Sequence, residues 1–379
     1  MDGRGLGTPL SPARLPAGEG GSSEGAYVIA AGGTGGHIFP GIALAREISA
    51  RRPAASILFV GTGSELEKKL IGEAGFPLSL VRASGFAGKS PGPRLAALAR
   101  LPLGLWDSLR LLRRHRARAV AGVGGYVTVP VLLAARLIGV PTLIHDSNAT
   151  PGVANRFLNR FATRTAVGLA AANARLAHPG VVTGTPARTE FFAVSPLDPK
   201  AGTRRLLVFG GSQGARVLNQ ALEEALPALA AAGVEVVHQT GEKHFGDAPA
   251  TPGVRRVPFL PRLYEELAWA DLVVSRAGAL TLAELAAAGR AAVLVPFGSA
   301  THAHQLENAR AFESAGAAML IEEQALSGRS LAEAVLRLLA DREKLSRMGE
   351  AARAFGRPDA AKRIAELLFE AEATAGNRA

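Results

Sequence analysis

At 379 residues and 48% hydrophobic content, the chain is long enough for two domains with separate cores and is not a disordered protein. It has no cysteine, which excludes disulfides, thiolate catalysis and cysteine-ligated metals and fits a reducing cytoplasm. A formal net charge of +11 asks for an anionic partner: nucleic acid, an anionic membrane surface or a phosphorylated substrate. Nucleic acid is set aside, because the chain carries no zinc-finger spacing, no basic region leading into heptads and no aromatic-rich strand of the RNA-recognition type.

Residues 1–25, rich in Gly, Pro, Ser and Ala, lack the apolar core of a signal peptide and are predicted to form a disordered tail. The alternation then begins. Tyr27–Ala31 is a predicted buried strand, 38–52 a helix and Ser56–Val60 a second strand, with further strands expected at 78–82, 119–123, 141–145, 165–168 and 180–183. The segment 94–118 places Leu95, Leu98, Leu105, Trp106 and Leu109 among Arg100, Arg110, Arg113, Arg114, Arg116 and Arg118. It reads either as an interfacial helix docking on anionic lipid or as a core-facing helix with a solvated basic face. No apolar run spans a bilayer, since 127–143 is broken by Pro130, Arg136 and Pro141, so any membrane contact is expected to be peripheral.

Ser195–Gly202 is turn-rich, and Arg205–Phe209 restarts the alternation, with strands expected near 234–238, 254–257, 272–275, 292–295 and 318–321 and a helical tail from 330. The fold class is therefore α/β, two doubly wound parallel-sheet domains facing a cleft. The boundaries are 26–194 and 195–354, with the last helix, about 355–379, expected to pack back on the first domain.

Three glycine-rich loops each follow an apolar run and open a helix: Gly32-Gly33-Thr34-Gly35-Gly36-His37, Gly210-Gly211-Ser212-Gln213-Gly214 and Arg276-Ala277-Gly278-Ala279-Leu280-Thr281. Backbone N–H groups converging at a helix N-terminus attract phosphate. A dinucleotide site would need an acidic residue ending the second strand, and neither Val60-Gly61-Thr62-Gly63 nor His238-Gln239-Thr240-Gly241 has one. Gly88-Lys89-Ser90 resembles the end of a Walker A loop, but Ala83 stands where that motif needs glycine. No Asp-x-Asp pair occurs to hold a metal–diphosphate, so no cofactor or metal is expected and helix dipoles, hydroxyls and arginine must meet the charge.

Ser212 is suited to hold a diphosphate, the competing reading being a plain N-cap. Thr281-Leu282-Ala283-Glu284 also reads as a capping box. Arg276, just past an apolar run, is expected either at the cleft near phosphate or sugar, or on the solvated surface. His37 opens a helix whose dipole disfavours the charged imidazole, as a general base requires; the alternatives are loop capping and phosphate binding.

With Pro40-Gly41, Gly122-Val123-Gly124-Gly125-Tyr126-Val127, His145-Asp146-Ser147-Asn148, Leu218-Asn219 and Glu284 added in order, these blocks resemble the MurG family of peptidoglycan N-acetylglucosaminyltransferases over residues 26–370. The resemblance implies the GT-B fold and inverting transfer of N-acetylglucosamine (GlcNAc) from UDP-GlcNAc. The acceptor is the 4-hydroxyl of the N-acetylmuramyl (MurNAc) pentapeptide on undecaprenyl diphosphate. It implies a peripheral enzyme at the cytoplasmic face of the cell membrane, near cell-wall and division proteins. His37 is then the base. UDP-GlcNAc falls to Thr34, Gly35, Gly36, Asn148, Arg188, Ser212, Leu260, Arg276, Ala279, Leu280, Thr281, Glu284, His304 and Gln305. Glu284 takes the ribose hydroxyls, Gln305 the GlcNAc hydroxyls, and backbone near Phe259-Leu260 the uracil; Arg188 either approaches the nucleotide or stabilises the hinge. Gly33, Thr34, Tyr126 and Asn148 meet the acceptor, although Tyr126 and Asn148 can instead satisfy local backbone. Leu98, Leu105, Trp106, Leu109, Arg110 and Arg113 dock on the membrane. The chain departs from the family pattern at Thr185 (for Asn), Asp146-Ser147 (for Glu-Gln), Ala277 (for Ser) and Ala303 (for a polar residue), which weakens the acceptor-side assignments most. The rivals are a related enzyme glycosylating a diacylglycerol or other lipid, a UDP-GlcNAc epimerase, and a non-catalytic membrane scaffold.

Overall fold

The structure, a computed structural model, describes residues 25–83, 91–211, 213–246, 250–298 and 303–376, with the backbone alone at 91–100, 303 and 376. Ser212, the side chain of Leu98 and all but the last residue of the expected tail lie outside the described residues.

The first domain alternates β1 (Ala26–Ala31), α1 (Gly35–Arg51), β2 (Ser56–Gly61), α2 (Glu65–Glu73), β3 (Leu78–Leu80), α3 (Pro91–Arg114), β4 (Ala119–Gly124), α4 (Thr128–Leu137), β5 (Thr142–Asp146), α5 (Val153–Leu158), β6 (Arg164–Val167), β7 (Val181–Val182) and α6 (Thr189–Phe192). The second continues with β8 (Arg205–Phe209), α7 (Arg216–Ala231), β9 (Glu235–Gln239), β10 (Val254–Val257), α8 (Leu263–Trp269), β11 (Leu272–Ser275), α9 (Ala279–Ala288), β12 (Ala292–Leu294), α10 (Ala303–Ser314), β13 (Ala318–Leu320), α11 (Gly328–Leu339) and α12 (Arg342–Arg353), before α13 (Ala360–Gly376). The sheets are wholly parallel, seven strands ordered β3-β2-β1-β4-β5-β6-β7 and six ordered β10-β9-β8-β11-β12-β13. This is the α/β architecture that the alternation predicts.

Helices cover both faces of each sheet, so the central strands are buried throughout. In β1, Tyr27, Ile29 and Ala31 enter the core beneath α1, while Val28 and Ala30 enter the core beneath α3 and α4. The strand order reverses between β1 and β4 and again between β8 and β11. A crevice opens at such a reversal, outside the carboxyl ends of the strands, and the glycine-rich loops stand there in both halves.

The domains interpenetrate at their joins. α13 crosses to the first sheet, burying Ile364, Ala365, Leu367 and Leu368 in its core, and Glu372 receives Arg52 and Arg118, each at 2.6 Å, and the Tyr27 hydroxyl at 2.5 Å. Phe191 and Val194, which the turn-rich linker assigns to the first domain, pack with Leu207, Leu285 and Ala286 in the second. Linker composition marks exposed chain, whereas the packing boundary lies before Phe191.

The segment ending at Arg118 divides its residues between two faces. Leu105 and Leu109 pack with Leu112 onto the first-domain core instead of forming a free apolar stripe. On the other side Trp106 stays 65% exposed with Arg110 and Arg113 at i+4 and i+7. Among the described residues no helix is long and apolar enough to cross a membrane.

Candidate active site

The first loop leaves β1, turns through Gly33 at φ 90°, and starts α1 at Gly35 with Thr34 as N-cap. The Thr34 side chain makes no capping bond and is exposed. Gly35 and Gly36 occupy the first turn, where N–H groups have no acceptor within the helix. Gly32 and Gly33 are not available to an anion, because the Gly32 N–H bonds the Gly124 carbonyl at 3.3 Å and the Gly33 N–H bonds Glu67 Oε1 at 2.9 Å. The amide cradle expected over Gly32–Gly36 is thus confined to its helical half.

His37, third in α1, lies with Nδ1 3.0 Å from the Gly32 carbonyl. A carbonyl only accepts, so a ring bonded to it carries a proton on Nδ1, and in the neutral imidazole Nε2 is then the acceptor. The ring rests on Gly124, at φ 121°, where a Cβ would come within 2.4 Å of it. Gly125 approaches Gly32 as closely, its own Cβ position being 2.4 Å from the Gly32 oxygen. The two glycine pairs therefore let the β1 and β4 loops touch at the crevice, with Tyr126 half exposed on the rim.

Across the interface Arg188 joins the halves. Its guanidinium lies 5.6 Å from the Phe39 ring of α1 and 4.7 Å from Phe191, and it donates to Glu284 Oε1 at 3.0 Å. Glu284 is 6% exposed, and burial pushes its carboxyl up to about 7 against the opposing pull of Arg188. It is not a capping residue: α9 is capped at Gly278, and Glu284 sits in the second turn. Ala279, Leu280 and Thr281 form the open first turn of α9.

Arg276, in the loop between β11 and α9, is not on the solvated surface. It is 5% exposed, donates to the carbonyls of Val295 and Pro296 at 3.1 and 3.2 Å, pairs with Glu323 at 2.5 Å and stacks on Phe297 at 4.1 Å. Its role there is to hold the chain that leaves β12. That chain matters because the Phe297 N–H donates to Gln305 Oε1 at 3.3 Å in the first turn of α10, which also carries His304. Leu260 is partly buried against the second core beside the exposed Phe259.

Asn148 faces the other domain rather than open solvent. Its Oδ1 accepts from Asn308 Nδ2 at 3.1 Å, and the same Nδ2 reaches the Ala277 carbonyl at 3.1 Å while Asn308 Oδ1 accepts the Ala149 N–H at 2.7 Å. Asp146 holds the near side, accepting from Asn148, Gly152 and Asn155. Asn308, Glu67 and His145 are site residues that reading the sequence did not single out. His145, fully buried with Nε2 donating to Gly184 at 3.0 Å, is held neutral by burial.

Models of the glycosyltransferase family 28 N-terminal domain and C-terminal domain match residues 27–167 and 205–364. The chain belongs to glycosyltransferase family 28. This family 28 chain is 42% identical over 355 residues to the UDP-N-acetylglucosamine–N-acetylmuramyl-(pentapeptide) pyrophosphoryl-undecaprenol N-acetylglucosamine transferase of Anaeromyxobacter dehalogenans, covering 90% of this chain and 92% of that one. It is 41% identical over 372 residues to the enzyme of the same name from Pelobacter propionicus, covering 90% and 98%. Among solved structures, MurG of Acinetobacter baumannii superposes with a TM-score of 0.73 at 30% identity over 91% of this chain and 99% of that one. Glycosyltransferase VinC, at a TM-score of 0.67 and 16% identity over 92% and 99%, shares the fold alone. The chain is a glycosyltransferase with the two-domain GT-B fold.

Proposed function

We propose that this chain transfers GlcNAc from UDP-GlcNAc to the 4-hydroxyl of MurNAc-pentapeptide on undecaprenyl diphosphate, inverting the anomeric carbon. The observation that carries this reading is a histidine with Nε2 left as acceptor, set against a buried carboxylate and an open helix start across one interface. It is supported by relatives named for that transfer over nine-tenths of the chain.

His37 Nε2 takes the proton of the acceptor hydroxyl as that oxygen bonds the anomeric carbon and the bond to UDP breaks on the opposite side. Charge gathering on the leaving diphosphate meets the first-turn N–H groups of α9 and the Gly210–Gly214 loop with Ser212. Glu284 accepts the ribose hydroxyls beside Arg188, Gln305 orients the GlcNAc hydroxyls near His304, and backbone around Leu260 reads uracil. On the acceptor side, Thr34 and the Gly35 and Gly36 amides receive the lipid diphosphate beneath Tyr126. The absence of an Asp-x-Asp pair supports a metal-independent reaction, for which activity should survive EDTA.

The exposed Trp106, Arg110 and Arg113 of α3 suit docking on the anionic cytoplasmic face of the membrane. So do Phe157, Phe161 and Arg160 in and just after α5. There the enzyme would work beside other cell-wall and division proteins. The test is incubation with UDP-GlcNAc and a short-chain lipid I analogue, following UDP release and product mass. Acceptor-dependent release with a GlcNAc-MurNAc product is expected; UDP-GlcNAc bound or converted with the acceptor untouched would overturn the assignment.

A further inference from the structure

Glu67 is a fully buried carboxylate in the second half of the first turn of α2. Part of its bonding is ordinary: with Ser64 it closes the capping box of that helix. A cap explains one N–H. Glu67 accepts four, from Thr62 at 2.8 Å, Gly63 at 2.7 Å, Ser64 at 3.2 Å and, across 34 residues of chain, Gly33 at 2.9 Å, and the Thr62 hydroxyl also donates to it at 3.0 Å. Burial alone pushes the carboxyl up, but these bonds outweigh it and hold the group below the ordinary carboxylate range, hence ionised. Glycine at 32 and 61 keeps room for it, since a Cβ at either position would stand 3.0 or 2.7 Å from its oxygens.

The N–H that Glu67 holds and the carbonyl that holds His37 belong to one peptide group. Gly32 supplies the C=O that accepts from Nδ1, and Gly33 supplies the N–H that donates to Glu67. Because the peptide is planar and conjugated, fixing and polarising its N–H end fixes and polarises its oxygen. We propose that Glu67 is a positioning residue for the base: acting through the Gly32–Gly33 peptide, its carboxylate orients the His37 imidazole and keeps the proton on Nδ1, so that Nε2 faces the acceptor hydroxyl. The arrangement does with an interposed peptide what a carboxylate does directly when it orients a catalytic histidine. This rests on the reading of His37 as the base.

The test uses the full chain with 15N-histidine labelling, the His37 signals being assigned by loss in His37→Gln. Long-range 1H–15N correlation of the wild type should find neutral His37 as the Nδ1–H tautomer. An Nε2–H tautomer overturns the proposal without any variant of Glu67. In Glu67→Gln the tautomer preference should weaken and kcat should fall about 10- to 100-fold, by analogy with the loss of a group that orients a metal-bound histidine. The KM and Kd for UDP-GlcNAc should stay within about twofold, because that ligand is held by the other domain. An unchanged tautomer and kcat, or a loss of UDP-GlcNAc affinity equal to the loss of rate, overturns it. If instead His37→Gln retains full activity while Glu67→Gln still shifts the tautomer, the base assignment fails and the orienting contact stands.

Discussion

The two halves repeat one topology, yet their glycine loops are tied down differently. In the first, the peptide N–H of Gly33 is held by the ionised Glu67, reaching in from α2. In the second, the N–H of Gly210, one residue before Gly211, the left-handed glycine equivalent to Gly33, is held by Gln239 Oε1 at 3.2 Å, a neutral amide from β9 whose Nε2 is anchored on the Pro258 carbonyl at 3.1 Å. A negative charge beneath a loop weakens its attraction for phosphate, while a neutral amide leaves the N–H groups and helix dipole to act at full strength. The first loop thus carries a charge beneath it that the second lacks.

Replacing the base is the severest way to break this asymmetry. His37→Ala should lower kcat by about 10²- to 10⁴-fold in the acceptor assay while UDP-GlcNAc affinity by calorimetry is retained. Cutting the contact between the halves comes next. Asn308→Ala leaves the Ala149 N–H and the Asn148 amide short of partners, which should cost about 1–3 kcal/mol, read as a lower melting temperature and a more open envelope by small-angle scattering. Giving the second loop the charge of the first is the sharpest comparison: Gln239→Glu should weaken UDP-GlcNAc binding about tenfold, on the order of 1.4 kcal/mol, with the melting curve as control.

A smaller effect tests the donor side by pH. In the free protein the Glu284 carboxyl is raised to about 7, so it is partly protonated at neutral pH. Ribose hydroxyls donate to the ionised form, and affinity for UDP-GlcNAc should accordingly rise severalfold as pH climbs through 7 and flatten above 8. Glu284→Gln should bind more weakly and lose that dependence; a pH-independent wild type would remove Glu284 from the donor site. The mildest change is at the rim, where Arg110→Ala and Arg113→Ala should each reduce binding to anionic vesicles by about 1 kcal/mol, and less at high salt.

The placement of several loop residues was legible because local chemistry marks it. A glycine-rich turn between an apolar run and a helical pattern located the loops around His37, Thr34 and Ala279 without reference to any fold. The burial of Arg276 was not legible because its position just past a strand says nothing of what covers it, and Phe297 and the Glu323 carboxylate arrive from elsewhere in the chain. Leu105 and Leu109 belonged to a stripe whose spacing is the same for a core face and a membrane face; packing onto α4 and the sheet decides between them. Glu67 went unremarked because Ser64 and Glu67 look like an ordinary capping box, and the bond to Gly33 spans 34 residues.

By itself the sequence determined the alternation of strands and helices, the parallel doubly wound sheets and the places where backbone N–H groups converge. Those features follow from side-chain periodicity and the steric freedom of glycine, which act within a few residues. Tertiary structure alone decided which N–H groups stay open, which nitrogen of His37 meets the Gly32 carbonyl and how Asn148, Asn308, Arg188 and Glu284 join the halves. Each of these depends on a partner brought from a distant segment, and a hydrogen bond, with its strict distance and direction, exists only once the fold has set both groups in place.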